Sequence, residues 1–520
     1  LPLAGWLLSA ADFAVIHWLY LGVLSAGCMA LAWLRPEYIR LAAFALAAPL
    51  CFLTMWGGQG EPPHPQFTWV CVGMGCLWAI GSYVLAFRSG QKSHWLAMSG
   101  AAAVGHFVIC YWFANASVTI APWWLVGTAL SAAYFVASVP VGRRVVDDRR
   151  MPLATTLTTA VAFAAFVVPV ELERQWIAVA WALMVPSIAF LCRWLSVPDL
   201  RYVVAGLGGL VLIQLVNPAI AEYPIGDHWL FNWLLYGYGV PILCLVVGAR
   251  FLPTKEESVV SWLDGTAAFM GLAMVTLMIR HGFHPGSISF REEPALLEFA
   301  TYSVAFGATG AGLYSVVRNR STVWQHATVV SMFLGLLVAV LGCSFFANPL
   351  VEHESVGAMP VWNLLLFAFA LPAVLAGTGA YLVSRDGYPN AARFWLGGGS
   401  LFLAWLCISL EVRQGFQGAF LDGSGWGNAE WYAYSVAWLL FAISLLAAGL
   451  VTKNAMLRWA SLFVMLVSVA KVFLLDTRNL EDLWRVVSFL GLGISLLGIA
   501  WVYQHFVFRR TANSQSPIAG

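Results

Sequence analysis

Along the chain, apolar runs of about twenty residues alternate with short polar breaks, and a helix of that length crosses the hydrocarbon core of a bilayer. Seventeen runs are readable, at approximately 12–34, 37–56, 66–87, 94–114, 123–142, 152–170, 174–195, 199–216, 229–250, 261–280, 295–317, 325–347, 360–384, 391–412, 430–452, 457–475 and 483–507. The runs are too long for strands and lack an alternation of period two. The pattern therefore predicts an all-α, polytopic transmembrane protein of about 17 helices.

The breaks are of two kinds. Alternate ones carry Arg35 and Arg40, Arg88 and Lys92, Arg143, Arg144, Arg149 and Arg150, Arg193 and Arg201, Arg250 and Lys255, Arg318 and Arg320, Arg385 and Arg393, Lys453 and Arg458, and Arg509 and Arg510. The intervening breaks hold only Arg174, Arg280, Arg291, Arg413 and Arg478, while Lys471 and Arg485 lie within or beside helices. Basic loops stay cytoplasmic, so the C-terminus, with a disordered tail at 511–520, is expected inside and Leu1 outside. Acids show the reverse bias, among them Glu222, Asp227, Glu292, Glu293, Glu352, Glu354, Asp422, Glu481 and Asp482, and His64, His228, His281, His284 and His353 join them. The inner breaks are too short for an enzyme domain. The outer ones are longer and richer in Pro, Gly and Trp, so chemistry or recognition is expected at the outer face.

Composition narrows the class. Of 520 residues, 61% are hydrophobic and 10% charged, against about a quarter charged in soluble domains, and the mean hydropathy is +0.79. Membrane lipids are the expected surroundings. A net charge of +2 without a basic stripe gives no sign of nucleic acid. All nine cysteines fall inside apolar runs and none forms a CxxC pair, so they read as apolar helix residues rather than disulfides or metal ligands. No metal and no cofactor is expected.

Self-comparison reveals spacing that recurs. Asn217-Pro218, Asn232 and Pro241 are followed 131 residues later by Asn348-Pro349, Asn363 and Pro372. Arg280-His281-Gly282-Phe283 answers Arg413-Gln414-Gly415-Phe416, and Glu298 with Tyr302-Ser303-Val304-Ala305 answers Glu430 with Tyr434-Ser435-Val436-Ala437. A third copy runs from Glu173 to Trp181. The expected unit is four helices: a partial unit of three helices at 1–93, complete units at 94–198, 199–324 and 325–456, and a half unit at 457–510. No signal peptide with a basic start is visible. Leu1 thus falls mid-unit, and the expectation is that more protein precedes it.

Lys471 through Asp476, Leu480, Trp484-Arg485-Val486, Ser488 through Gly493, and Tyr503 form a recognisable signature, as do Glu430 through Trp438 and Pro169 through Trp181. They resemble a bacterial family of large polytopic membrane proteins catalogued as a domain of unknown function (twenty-three thirty-nine). The resemblance covers most of the chain and is most specific after residue 410. It implies the bacterial inner membrane and no particular activity. Met184-Val185-Pro186 departs from it, standing where a glutamate is expected.

No HExxH, P-loop or GxSxG motif is present, and no GxGxxG precedes a strand. Asp147-Asp148 lie among four arginines and read as a solvated charge cluster. The candidate binding residues are Glu173, Glu298, Glu411, Glu430, Lys471, Asp476, Arg485, Asn232 and Asn363. Glu173, Glu298 and Glu430 stand where an outer break meets a helix, so each either complements the helix dipole or contributes to a shared polar site. Lys471 either snorkels to the interface or pairs with Asp476 or a repeat glutamate. Arg485, in a first turn, needs a carboxylate to offset the dipole. Asn232 and Asn363 either cap helices or bond across them. Trp229, Trp362, Trp426 and Trp431 suit an interfacial belt or the stacking of sugar rings. His281 and His284 alone have ligand spacing, and an interfacial role is favoured.

The leading expectation is transport or envelope assembly, handling a solute, lipid or lipid-linked saccharide near the outer face. The rivals are a membrane-embedded transferase or hydrolase on a lipid-linked substrate, using paired acids such as Glu352/Glu354 or Glu292/Glu293, and a ligand-free scaffold.

Overall fold

A lipid-embedded backbone has no water to bond to, so each segment must satisfy its own N–H and C=O groups, and a helix does this internally. The computed structural model follows that rule. It describes residues 15–58, 65–114, 122–144, 150–217, 223–226, 228–253, 257–285, 288, 293–317, 322–385, 390–423, 425–473 and scattered positions between 490 and 504. The helices are α1 (Val15–Leu34), α2 (Ile39–Gly57), α3 (Pro65–Ala86), α4 (Lys92–Ala114), α5 (Trp123–Arg144), α6 (Arg150–Glu171), α7 (Arg174–Trp194), α8 (Arg201–Val216), α9 (Trp233–Phe251), α10 (Glu257–Phe283) and α11 (Leu296–Val317). They continue with α12 (Thr322–Leu337, prolonged by a π-helix at Val338–Phe346), α13 (a π-helix at Leu366–Ala370, then Leu371–Arg385), α14 (Asn390–Gln417), α15 (Asn428–Val451) and α16 (Ala455–Lys471). No strand occurs among the described residues. Ser355 and Phe420 form an isolated antiparallel bridge between two loops.

Fourteen of these helices are long and apolar enough to cross a membrane. The chain is an all-α, multi-pass membrane protein. Three of the seventeen expected runs lie outside that fourteen, each for its own reason. α11 is 22 residues long but carries Glu298, several hydroxyls and glycines, which lower its hydropathy. The described part of α16 is 17 residues. The run at 483–507 falls mostly outside the described residues.

By internal contacts the chain divides into two compact units, Leu1–Gly226 with Phe231–Gly271, and Asp227–Leu230 with Leu272–Gly520. In the first, Met29, Trp78, Trp95 and Ala102 centre one apolar cluster, and Trp18, Phe67, Cys71 and Cys110 another. In the second, Leu296, Met332, Phe369 and Leu403 bring α11 to α14 around a common core. The contact between α11 and α12 is made by backbone. A Cβ at Gly335 would lie 2.7 Å from the Ser303 carbonyl oxygen and 2.8 Å from the Gly307 nitrogen, the small-residue approach that membrane helices favour. The Ser303 hydroxyl donates to the Gly335 carbonyl at 2.7 Å and the Ser331 hydroxyl to the Phe306 carbonyl at 2.8 Å, fastening the same crossing.

Candidate functional site

Arg280 stands in the last turn of α10 and Glu298 in the first turn of α11. Each helix dipole favours the charge it receives there. Arg280 Nη1 donates to Glu298 Oε1 at 2.9 Å and to Oε2 at 3.0 Å, and the Tyr302 hydroxyl donates to Oε1 at 3.0 Å. His284 Nε2 lies 2.7 Å from Arg280 Nη1 and 3.1 Å from Glu298 Oε2. Arg280 and Glu298 are 0% and 1% exposed. Charges so far from water survive only with partners of this quality.

The same arrangement recurs between α14 and α15. Arg413 Nη1 donates to Glu430 Oε1 at 3.0 Å, and the Tyr434 hydroxyl donates to that oxygen at 3.2 Å. Gln417 Nε2 reaches Glu430 Oε2 at 3.3 Å, where the first network has His284. Arg413 also organises the loop that follows α14. Nε donates to the Leu421 carbonyl at 2.8 Å, Nη2 to the Gly423 carbonyl, and the guanidinium lies 4.3 Å from the ring centre of Trp426. Gly425, with φ +115°, supplies a left-handed turn that only glycine takes without strain.

Glu173 has a different setting. It occupies the N-cap position of α7 without a side-chain cap bond, and its carboxylate accepts only an exposed bond from Gln175 Nε2 at 2.8 Å. Asn232 caps α9, accepting from the Leu234 N–H at 3.0 Å. Asn363 combines both expected roles. Its Oδ1 accepts from Leu365 N at 2.9 Å, and its Nδ2 donates to Glu411 Oε2 at 3.1 Å. Glu411 Oε2 also accepts from the Val361 N–H at 3.1 Å. Val361 has φ 69°, a conformation costly for a β-branched residue and held here by that bond. Nearby, Glu354 Oε2 accepts from Leu296 N at 3.1 Å, and His353 Nδ1 lies 2.8 Å from Asp422 Oδ2. The bond to His353 holds the Asp422 carboxyl below its usual pKa.

Lys471 is 7% exposed. Its ammonium donates to the Trp431 carbonyl at 2.8 Å and to Ser435 Oγ at 2.7 Å, and lies 4.7 Å from the centre of the Trp431 ring. Asp476 and Arg485 lie outside the described residues, as do Asn115, Asp147, Asp148, Glu222, Asp227, Glu292, Glu481 and Asp482.

Beside Lys471 an apolar cleft of about 500 Å³ is walled by Trp405, Trp426, Trp431 and Trp438. Trp405 and Trp438 pack at 5.0 Å, and Trp438 Nε1 donates to Ser409 Oγ at 3.0 Å. A second apolar cleft, of about 930 Å³, starts at Asn390 and Arg393 and runs between α14 and α16. Trp405 and Val467 line both clefts. Arg393 lines the larger and Lys471 the smaller, and the two stand along the α14–α16 seam. Along α16, from Met456 to Lys471, the path is about 22 Å at 1.5 Å per residue.

Fourteen membrane-length helices, with Arg280–Glu298 and Arg413–Glu430 buried as partnered pairs at helix ends, describe a protein built for a bilayer. The family described as "Predicted membrane protein (DUF2339)" has a model that matches residues 7–506. The chain belongs to that family. No curated protein and no solved structure matches it. The family description adds no residue to the site, so its chemistry rests on the geometry above. Among the described residues no group of three or more His, Cys, Asp and Glu is arranged to hold a metal.

The sequence candidates omitted Arg280, Arg413, Tyr302 and Tyr434, although all four stand within the repeated segments. They also omitted Asp264, fully buried in α10, which lies 3.6 Å from Arg250. A lone acid within an apolar run was the available signal for Asp264.

Proposed function

We propose that this protein moves an anionic amphiphile, a phospholipid or a lipid-linked saccharide, along the α14–α16 seam in transport or envelope assembly at the bacterial inner membrane. The observation that carries this reading is the pair of apolar clefts that share Trp405 and Val467 as walls, one lined by Arg393 and the other by Lys471. Acyl or isoprenoid chains suit the apolar walls, and a phosphate head suits the cation at either end. By the charge pattern Arg393 belongs to the cytoplasmic side and Lys471 to the outer side. Trp426 and Trp431, each already carrying a cation over its ring, wall the cleft beside Lys471. The matched Arg–Glu–Tyr networks each hold two helix ends together, and that of Arg413 and Glu430 adjoins the Lys471 end. They also support the reading of 199–324 and 325–456 as duplicated units.

The test is transfer of fluorescent phosphatidylglycerol between leaflets of vesicles carrying the full chain, read by dithionite quenching, with phosphatidylcholine as the uncharged-overall control. Acceleration of the anionic lipid, reduced about tenfold or more by Val467→Trp, is expected. No acceleration by the wild-type protein, or full activity in Val467→Trp, overturns the reading.

A further inference from the structure

The two matched networks differ in one donor. A carboxylate offers about four lone-pair sites on its two oxygens. On Glu430, Oε1 accepts from Arg413 Nη1 and the Tyr434 hydroxyl, and Oε2 accepts from Gln417 Nε2. On Glu298, Oε1 accepts from Arg280 Nη1 and the Tyr302 hydroxyl, and Oε2 accepts from Arg280 Nη1. His284 stands where Gln417 stands in the other copy, with its Nε2 3.1 Å from Glu298 Oε2. An amide NH₂ donates in every state, whereas an imidazole nitrogen donates only when it carries a proton.

Nε2 of His284 has two neighbours that it cannot serve at once. Arg280 Nη1, 2.7 Å away, is a donor and needs a lone pair on the ring nitrogen. Glu298 Oε2 is an acceptor and needs a proton there. The contact with Arg280 is the shorter, so in this geometry Nε2 accepts and its lone pair also faces Glu298 Oε2. The two hydrogens of Arg280 Nη1 are then shared among Glu298 Oε1, Glu298 Oε2 and His284 Nε2.

A proton on Nε2 removes both conflicts. The ring becomes the fourth donor on the Glu298 carboxylate, and the Nη1 hydrogens are left to the two carboxylate oxygens. The surroundings suit the added charge. His284 directly follows α10, its N–H donating to the Arg280 carbonyl at 2.9 Å, and a helix C-terminus favours a cation. Its side chain is 23% exposed and so meets water. Among the described residues, Arg280 of its own helix and Glu298 of α11 face it, and Tyr302 bonds the far carboxylate oxygen. Glu354 reaches the N-terminus of α11 at the Leu296 N–H. His281, also on α10, has both ring nitrogens buried without a hydrogen-bond partner.

We propose that His284 is a proton-binding site, and that a proton taken from water transfers its Nε2 from Arg280 to Glu298 and tightens the junction of α10 with α11. The junction of α14 with α15, where Gln417 is a permanent donor, stays in the tightened form. By the charge pattern both junctions belong to the outer side, so the proton comes from there. The site is independent of lipid movement along the α14–α16 seam.

The test is hydrogen–deuterium exchange of the full chain in detergent at pH 5 and pH 8, the interval in which histidine ordinarily changes charge, corrected for the intrinsic pH dependence of exchange. Protection over 296–303 is expected to be about tenfold higher at the acid pH, the scale of one charge-assisted hydrogen bond, with 428–435 unchanged. His284→Gln is expected to hold 296–303 at the acid level throughout. Gln417→His is expected to bring the response to 428–435, and it keeps the test open if His284→Gln fails to fold. His281→Gln should respond as wild type does. Equal protection of 296–303 at the two pH values in the wild-type chain overturns the proposal. So does a response that survives His284→Gln, one that disappears in His281→Gln, or the lack of a new response in Gln417→His.

Discussion

Lys471 is held by Trp431 twice, through the backbone carbonyl at 2.8 Å and through the ring face at 4.7 Å. Its replacement removes a donor from two buried acceptors, the Trp431 carbonyl and Ser435 Oγ. Lys471→Met is expected to cost about 1–3 kcal/mol, seen as a lower unfolding temperature in detergent. Lys453→Met, at an exposed position between α15 and α16, should stay within about 0.5 kcal/mol of wild type. Equal effects would remove Lys471 from any special role.

The pair Arg413–Glu430 is a second point of test. Arg413→Met leaves a buried carboxylate with its main partner gone and is expected to cost about 3–5 kcal/mol. The double variant Arg413→Met/Glu430→Leu is expected to recover much of that loss. Tyr434→Phe, which removes one bond to the charged oxygen, should cost about 1.5–3 kcal/mol. A double variant as unstable as the sum of its singles would contradict the coupling.

Gly335→Ala drives a methyl into the Ser303 carbonyl and the Gly307 nitrogen. Overpacking against backbone is expected to cost about 1–3 kcal/mol. Gly312→Ala on α11, where nothing lies within 4 Å, should instead be neutral or stabilising by about 0.5–1 kcal/mol. The two unfolding temperatures should therefore move in opposite directions, or the first alone should fall.

The pairing of His353 with Asp422 sets a pH window for its loops. Because the folded state lowers the Asp422 pKa through the bond to His353, the contribution is fully present above the usual aspartate pKa of about 3.9. It is lost as pH falls through the lowered value. Amide exchange at Val356, which donates to Ala419 across the two loops, should stay protected at pH 5 and rise only below about pH 4. Protection lost already at pH 5 would assign the loop contact to other groups.

Topology is testable at Val351, 74% exposed. In a cysteine-free background, Val351→Cys should react with an impermeant maleimide added outside. Labelling only from the cytoplasmic side would invert the proposed orientation.

The helices were legible because a membrane span needs little more than length and hydropathy, and α11 shows the limit, since Glu298 and its glycines dilute that signal without preventing the helix. The bends of the backbone were not legible. The π-helix at Val338–Phe346 changes hydrogen-bond register without changing composition. Within the site, Glu298 and Glu430 were found by recurrence, but their partners were read as loop charge. Arg280 and Arg413 precede them by a whole turn-and-loop excursion that no helical period spans. His106 sat in an apolar run and carried no spacing signal. The structure shows its Nε2 buried without a hydrogen-bond partner.

The buried Arg–Glu pairs also constrain how this chain can drift. Losing either member alone passes through a strongly destabilised protein, whereas losing both at once does not. Among relatives, Arg280 with Glu298, and Arg413 with Glu430, are therefore expected to persist or vanish together. Their joint persistence would be a record of inherited foldability, and by itself no sign of shared substrate.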